Sequence, residues 1–175
     1  MRTDESRFEA ERILRTLRVN ASEFGYRAQA LFAETLARMG AVIDEVARVG
    51  HPDVMARIRG RGIRIQVKYT GQCSFTLDAD DLEGIRPRSE QEDGYLAVLD
   101  LGPPVAWTCV PHSRARELVG RSVPLAMLKA MDDTLFSSEC TDVFVELVIE
   151  HRTSIDAFTF SLVRRRALAD GRVER

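Results

Sequence analysis

Asp53, Gln66 and Lys68 are residue types that can hydrolyse a phosphodiester with the help of a metal ion, and thirteen positions separate the first two. An aspartate is a hard oxygen ligand, and Mg²⁺ takes one or two such carboxylates while keeping several waters. An amide oxygen or a backbone carbonyl can add a ligand. A lysine beside the metal can orient or deprotonate a water, or offset charge on a phosphoryl group in its transition state. The same residues support a plainer reading, in which a lysine opposite an aspartate is a cross-strand ion pair on a solvated face. Spacing alone leaves both open.

A hairpin must position these residues. The segments DVMARIR and IRIQVKY alternate apolar and polar residues on either side of GRG, the pattern of two strands and a tight turn. In the second strand Ile63, Ile65 and Val67 share one face, which meets the core, and Arg64, Gln66 and Lys68 share the other. A turn on Gly60 and Arg61 sets Arg59 opposite Gly62 and so places Asp53 opposite Lys68, on the same face as Gln66. Pro52 fits at the start of its strand, where a missing N–H does little harm. Positions 57 to 68 hold four arginines, one lysine and no acid. Arg57, Arg59, Arg61 and Arg64 therefore predict a local positive stripe able to meet DNA phosphates. The net charge is −2, so any nucleic-acid affinity has to come from such a patch.

The wider chain reads as a mixed α/β fold. ESRFEAERILRTLRVN has apolar residues at Phe8, Ile13, Leu14 and Leu17 with helical spacing. Asn20 or Ser22 can cap a second helix that stops at Gly40, with Phe32, Ala33, Leu36 and Met39 as its buried stripe. AVIDEVARV reads as a first strand, FTLDADDLEGI as a short strand leading into a short helix, and GYLAVLDLG and PVAWTCVP as two buried strands. Trp107 belongs to that core. SRARELVG and PLAMLKAMDD read as short helices. From about residue 141 the pattern is helical, with a break near Thr153 and Ser154. The expectation is one domain over 1–175, with a core over about 20–112 and a mainly helical extension over about 113–175 that packs on the sheet or forms a partner surface. The central mixed sheet has about five strands flanked by helices.

Composition excludes several classes. With 45% apolar and 30% charged residues the chain is a folded domain. No apolar run approaches the roughly 20 residues needed to span a bilayer. The N-terminal MRTDESRFEAERILRTL lacks the apolar core of a secretion signal. Three widely spaced cysteines argue against a disulfide framework and fit a reducing, cytoplasmic setting.

Pro52-Asp53, the later Gln66-Val67-Lys68 and the preceding helix GYRAQALFAETLARMGA together resemble the PD-(D/E)xK nuclease superfamily, in particular its Holliday-junction resolvases and the restriction enzymes whose last motif reads Gln-x-Lys. The resemblance covers about residues 25 to 110. It implies a restriction-endonuclease-like fold and Mg²⁺- or Mn²⁺-dependent hydrolysis of DNA, branched or modified DNA included, with a homodimer among the assemblies it admits. It implies that Asp53 is the main metal ligand, Gln66 stands in for the more usual acid, Val67 lends its carbonyl and Lys68 is the catalytic lysine. The family's helix also supplies a Glu. In the register of Gly25, Ala28 and Gly40 that place is held by Gln29.

Two acids of the usual set are thus amides, which removes two negative charges and weakens affinity for a hard dication. Glu34 lies about 140° further round the helix and is a poorer match. Glu34 or Glu45 could substitute, or the domain could have lost catalysis and kept binding to nucleic acid or a protein partner. His51 adjoins Pro52 and Asp53 and could touch a phosphate or a metal, or be plain surface. His112 and His151 read as structural. The acidic run Asp78, Asp80, Asp81 and Glu83 could be a second metal site or, more simply, a helix N-terminal cap.

Overall fold

A computed structural model of the chain describes residues 4–46, 52–71 and 74–169. Helices α1 (Asp4–Leu14) and α2 (Ala21–Arg38) lead into strands β1 (Val42–Val46), β2 (Val54–Ile58), β3 (Arg61–Thr70) and β4 (Ser74–Thr76). Helix α3 (Ala79–Gly84) precedes β5 (Glu92–Asp100) and β6 (Ala106–Pro111). The short helix α4 (His112–Ala115), strand β7 (Ser122–Pro124) and helices α5 (Leu125–Ala130), α6 (Thr134–Glu150) and α7 (Ile155–Ala169) complete the chain. Five strands form one mixed sheet in the order β1-β2-β3-β5-β6, and β4 and β7 pair separately. Only β3 and β5 run parallel among the paired neighbours of the large sheet.

Alternation along the strands builds two cores. Ile63, Ile65 and Val67 of β3 join Ala97, Leu99, Trp107 and Cys109 under α1, α2 and α6. Leu96, Val98 and Val110 face the other way, where Leu82 and Ile85 and the elements after β6 cover them. Strand β5 is buried on both faces, as its unbroken apolar run requires. Each fully buried Leu or Ile contributes about 1.5–3 kcal/mol. Parallel strands need a crossover, and α3 lies within the one from β3 to β5.

The hairpin corrects the sequence reading. Ile58 pairs with Arg61 and Val54 with Ile65, so the turn lies on Arg59 and Gly60. Both have positive φ, 52° and 80°, the mark of a type I′ turn whose twist matches the strands it joins. The register moves by two residues and places Gln66, not Lys68, across from Asp53. The faces are unchanged, because a two-residue shift preserves side-chain alternation. Arg59 holds a left-handed conformation that costs a non-glycine residue about 1–2 kcal/mol, while its exposed ion pair with Glu139 contributes about 0–1 kcal/mol. Arg59→Asn keeps the turn and tolerates that conformation. It is expected to leave stability unchanged or raise it by up to about 1 kcal/mol in urea unfolding; a loss larger than that would show the ion pair to be the stronger effect.

Helix α2 carries Gln29. Asn20 caps it by accepting from the Glu23 N–H, and Gly40 ends it at φ 89°. Phe32, Ala33 and Leu36 are buried as expected, but so are Arg27, Ala28, Ala30, Leu31 and Thr35, so the helix is enclosed on most of its circumference. Arg27 donates to the Asp156 carboxylate at 2.7 Å, to Thr159 Oγ1 at 2.7 Å and to Glu23 at 2.6 Å, fastening α7 to α2. The helical break falls at residues 151–154. The C-terminal helices pack on the body of the fold, with α6 against β6, α1 and α2. In α1 the buried positions are Ala10, Ile13, Leu14 and, just beyond it, Leu17; Phe8 is 47% exposed, because it stands two residues before Ala10 and so about 200° round the helix.

Candidate active site

Asp53 lies just before β2, at the rim where β2 stops and β3 continues. Ile65 is the last β3 residue paired with β2. Beyond it the Val67 N–H donates to Asp53 Oδ2 at 2.8 Å. Gln66 Nε2 donates to the same oxygen at 2.7 Å, and Gln29 Nε2 donates to Oδ1 at 2.9 Å. Gln29 arrives from the α2 face and Gln66 from the α3 face. The structure therefore brings together four of the residues singled out in the sequence: Gln29, Asp53, Gln66 and Val67. The Asp53 side chain is nearly enclosed, with 8% of the residue exposed.

The chemistry of this set differs from that of a metal centre. A carboxylate only accepts hydrogen bonds, and it has about four lone-pair positions. Here three N–H donors among the described residues point at it. Both amides turn their NH₂ ends inward, whereas a dication would need their oxygens. The set contains one carboxylate, and among the described residues no group of three or more His, Cys, Asp or Glu could hold a metal. As bonded, these residues do not fit Mg²⁺ or Mn²⁺.

Lys68 is on the expected face but pairs elsewhere. Its Nζ lies 2.9 Å from the carboxylate of Asp81, with 32% and 15% of the two side chains exposed. Asp81 also accepts from the Asp78 N–H at 3.4 Å, so the acidic run does act at the start of α3. Reading that run as a second metal site or as a cap misses the partner of Lys68. The available signal was position: a helix in the crossover after the lysine strand has to lie over a face of the sheet.

The four arginines do not form one open stripe. Arg57 makes a fork with Asp44 at 2.7 and 2.9 Å. Arg59 reaches Glu139 on α6 at 2.6 Å, and Arg61 reaches Asp93 on β5 at 2.6 Å. The hydrogen bond and charge of Asp44 hold the Arg57 guanidinium above its usual range, and Asp93 does the same for Arg61. Arg64 corrects the expectation of a DNA contact: it is 2% exposed and its Nε donates to the Gly84 carbonyl at 3.1 Å, because α3 covers its face. Glu34, the alternative acid, lies 3.9 Å from Arg38 and bonds none of the site residues. His51 and the side chain of Glu45 lie outside the described residues. His151 stacks on Phe158 at 3.6 Å, and the His112 imidazole is pushed down by burial and by Arg116 and Arg86, which supports structural readings of both. Trp107 packs edge-on between Phe32 and Phe144, as a core residue.

No family model matches the chain, and no curated protein sequence does. Solved structures do match. One is Hjc, a Holliday junction resolvase from the archaeal hyperthermophile Archaeoglobus fulgidus, 20% identical over 65% of this chain and 95% of that one, with a TM-score of 0.52. At that identity the likeness concerns the fold. The chain has a restriction-endonuclease-like, nuclease-type fold: a mixed five-stranded sheet flanked by helices, with a helical C-terminal part.

Proposed function

We propose that this chain is a DNA-binding module on a nuclease fold, without metal-dependent hydrolysis. The bonding of Asp53 carries this reading. Metal-assisted cleavage needs oxygens that draw a dication. Here the one carboxylate of the set is met by three N–H donors among the described residues. The fold shared with a Holliday junction resolvase supports DNA as the partner. So do the guanidinium groups of Arg57, Arg59 and Arg61 on the hairpin. Their ion pairs are exposed, and exposed pairs contribute only about 0–1 kcal/mol, so phosphates can compete for them.

The test is binding and cleavage of labelled single-stranded, duplex and four-way-junction DNA with Mg²⁺ or Mn²⁺ present. Salt-sensitive binding without cleavage is expected. Each phosphate contact contributes about −0.9 to the log–log salt slope, so Arg59→Ala with Arg61→Ala flattens it by about 1.8. Absence of binding to all three DNAs at low salt would sink the proposal. A second reading, a Mg²⁺- or Mn²⁺-dependent endonuclease, is favoured by Gln66 meeting Asp53, with Lys68 on the same face of β3 as Gln66. Cleavage that Lys68→Ala and Asp53→Asn each abolish would establish it instead.

A further inference from the structure

We infer that Tyr26 is a stacking platform for an unpaired nucleobase, and that the DNA this module prefers carries single-stranded character. The inference rests on the DNA-binding reading and names its ligand class. Tyr26 is 53% exposed and has no ring contact or hydrogen bond among the described residues. A single exposed aromatic needs no explanation by itself; the position of this one does. Tyr26 lies in the first turns of α2, where Ser22 on the same face is also exposed; further along the helix Ala30 and Ala33 are buried on that face. Gln29, which reaches Asp53, follows three residues later on the neighbouring face, about 4.5 Å along the axis. Tyr26 therefore flanks the Asp53 rim on the α2 side, as Lys68 flanks it on the α3 side.

The platform is also rigid. Tyr69, the residue after Lys68, donates its hydroxyl to the Ala21 carbonyl at 2.6 Å and packs its ring on Phe24, with centroids 4.8 Å apart. Gly25 adds no side chain, and a Cβ there would come within 3.6 Å of the Tyr69 ring. The first turns of α2 are thus fixed on the end of β3, and the one aromatic left without a partner points outward from them.

An exposed ring can stack only on a base that is not stacked inside a duplex, and such stacking tolerates any sequence because every base has a π-face. Across the rim, Lys68 has three N–H donors, of which the two Asp81 carboxylate contacts leave at least one for a phosphate oxygen. A strand lying over the rim meets Tyr26 with a base and Lys68 with its backbone.

Fluorescence anisotropy of the full chain with labelled single-stranded and duplex oligonucleotides tests this, with the thermal midpoint of each variant as a check on folding. Wild type is expected to bind the single strand more tightly. Tyr26→Ala should weaken single-strand binding about tenfold and leave duplex binding unchanged, and Tyr26→Phe, which keeps the ring, should bind as wild type does. Equal wild-type affinity for both forms, no effect of Tyr26→Ala on the single strand, or an equal loss on both forms would each overturn the role of Tyr26 while leaving a DNA-binding module. Failure of wild type to bind either form would overturn the DNA-binding reading and this inference with it.

Discussion

Asp53→Asn is expected to destabilise the fold by about 3 kcal/mol, a drop of roughly 10 °C in thermal midpoint for a chain of this size. The carboxylate takes three hydrogen bonds from Gln29, Gln66 and Val67 at 2.7 to 2.9 Å. Bonds to a charged group contribute about 1.5–3 kcal/mol each. An asparagine keeps one neutral acceptor oxygen for Gln66 and Val67 and turns its NH₂ toward Gln29, whose amide must rotate to accept it, so three charge-assisted bonds become neutral ones in a nearly enclosed place. Were the two amide oxygens turned inward to receive an ion, an asparagine NH₂ would find acceptors there and the loss would be smaller. Urea unfolding of wild type and variant without divalent ions separates the cases: an Asn variant as stable as wild type, or more stable, would contradict the bonding described here.

Gln29→Glu combined with Gln66→Glu is expected to produce the opposite behaviour. Three carboxylates then converge where two NH₂ groups met one. Without divalent ions the double variant unfolds more easily than wild type, through like-charge repulsion and two lost hydrogen bonds. With Mg²⁺ or Mn²⁺ it recovers, because an ion that binds only the folded state stabilises it by about 2.7 kcal/mol at a hundred times its dissociation constant. Wild type shows no such response. Calorimetry provides a second readout, heat of ion binding in the variant and none in wild type. Equal metal-induced shifts in the two proteins would show that Asp53 already holds an ion and that the amides turn their oxygens toward it, which would restore the nuclease reading.

Much of this architecture was legible in the sequence. Alternation in IRIQVKY decided which face of β3 meets the core, and that assignment survived a two-residue error in register because side-chain direction repeats every second residue. Asn20 and Gly40 marked the ends of α2 through capping chemistry that acts within one turn. The apolar run in β5 announced a strand buried on both faces.

Other features were decided only in three dimensions. The turn shifted by one residue because Arg59 adopts a left-handed conformation that its side chain does not advertise. The charged stripe at residues 57–64 became three ion pairs and one buried arginine. Its partners come from 13, 80 and 32 positions away, on β1, α6 and β5. Lys68 met Asp81 because α3 crosses over β3. The direction of the two amides depended on which groups Asp53 would accept from. Periodicity and caps are set by neighbours along the chain, so they can be read in order of sequence. The partner of a charge or an amide is set by which distant element packing brings within 3 Å, and its net worth by how much water that packing excludes.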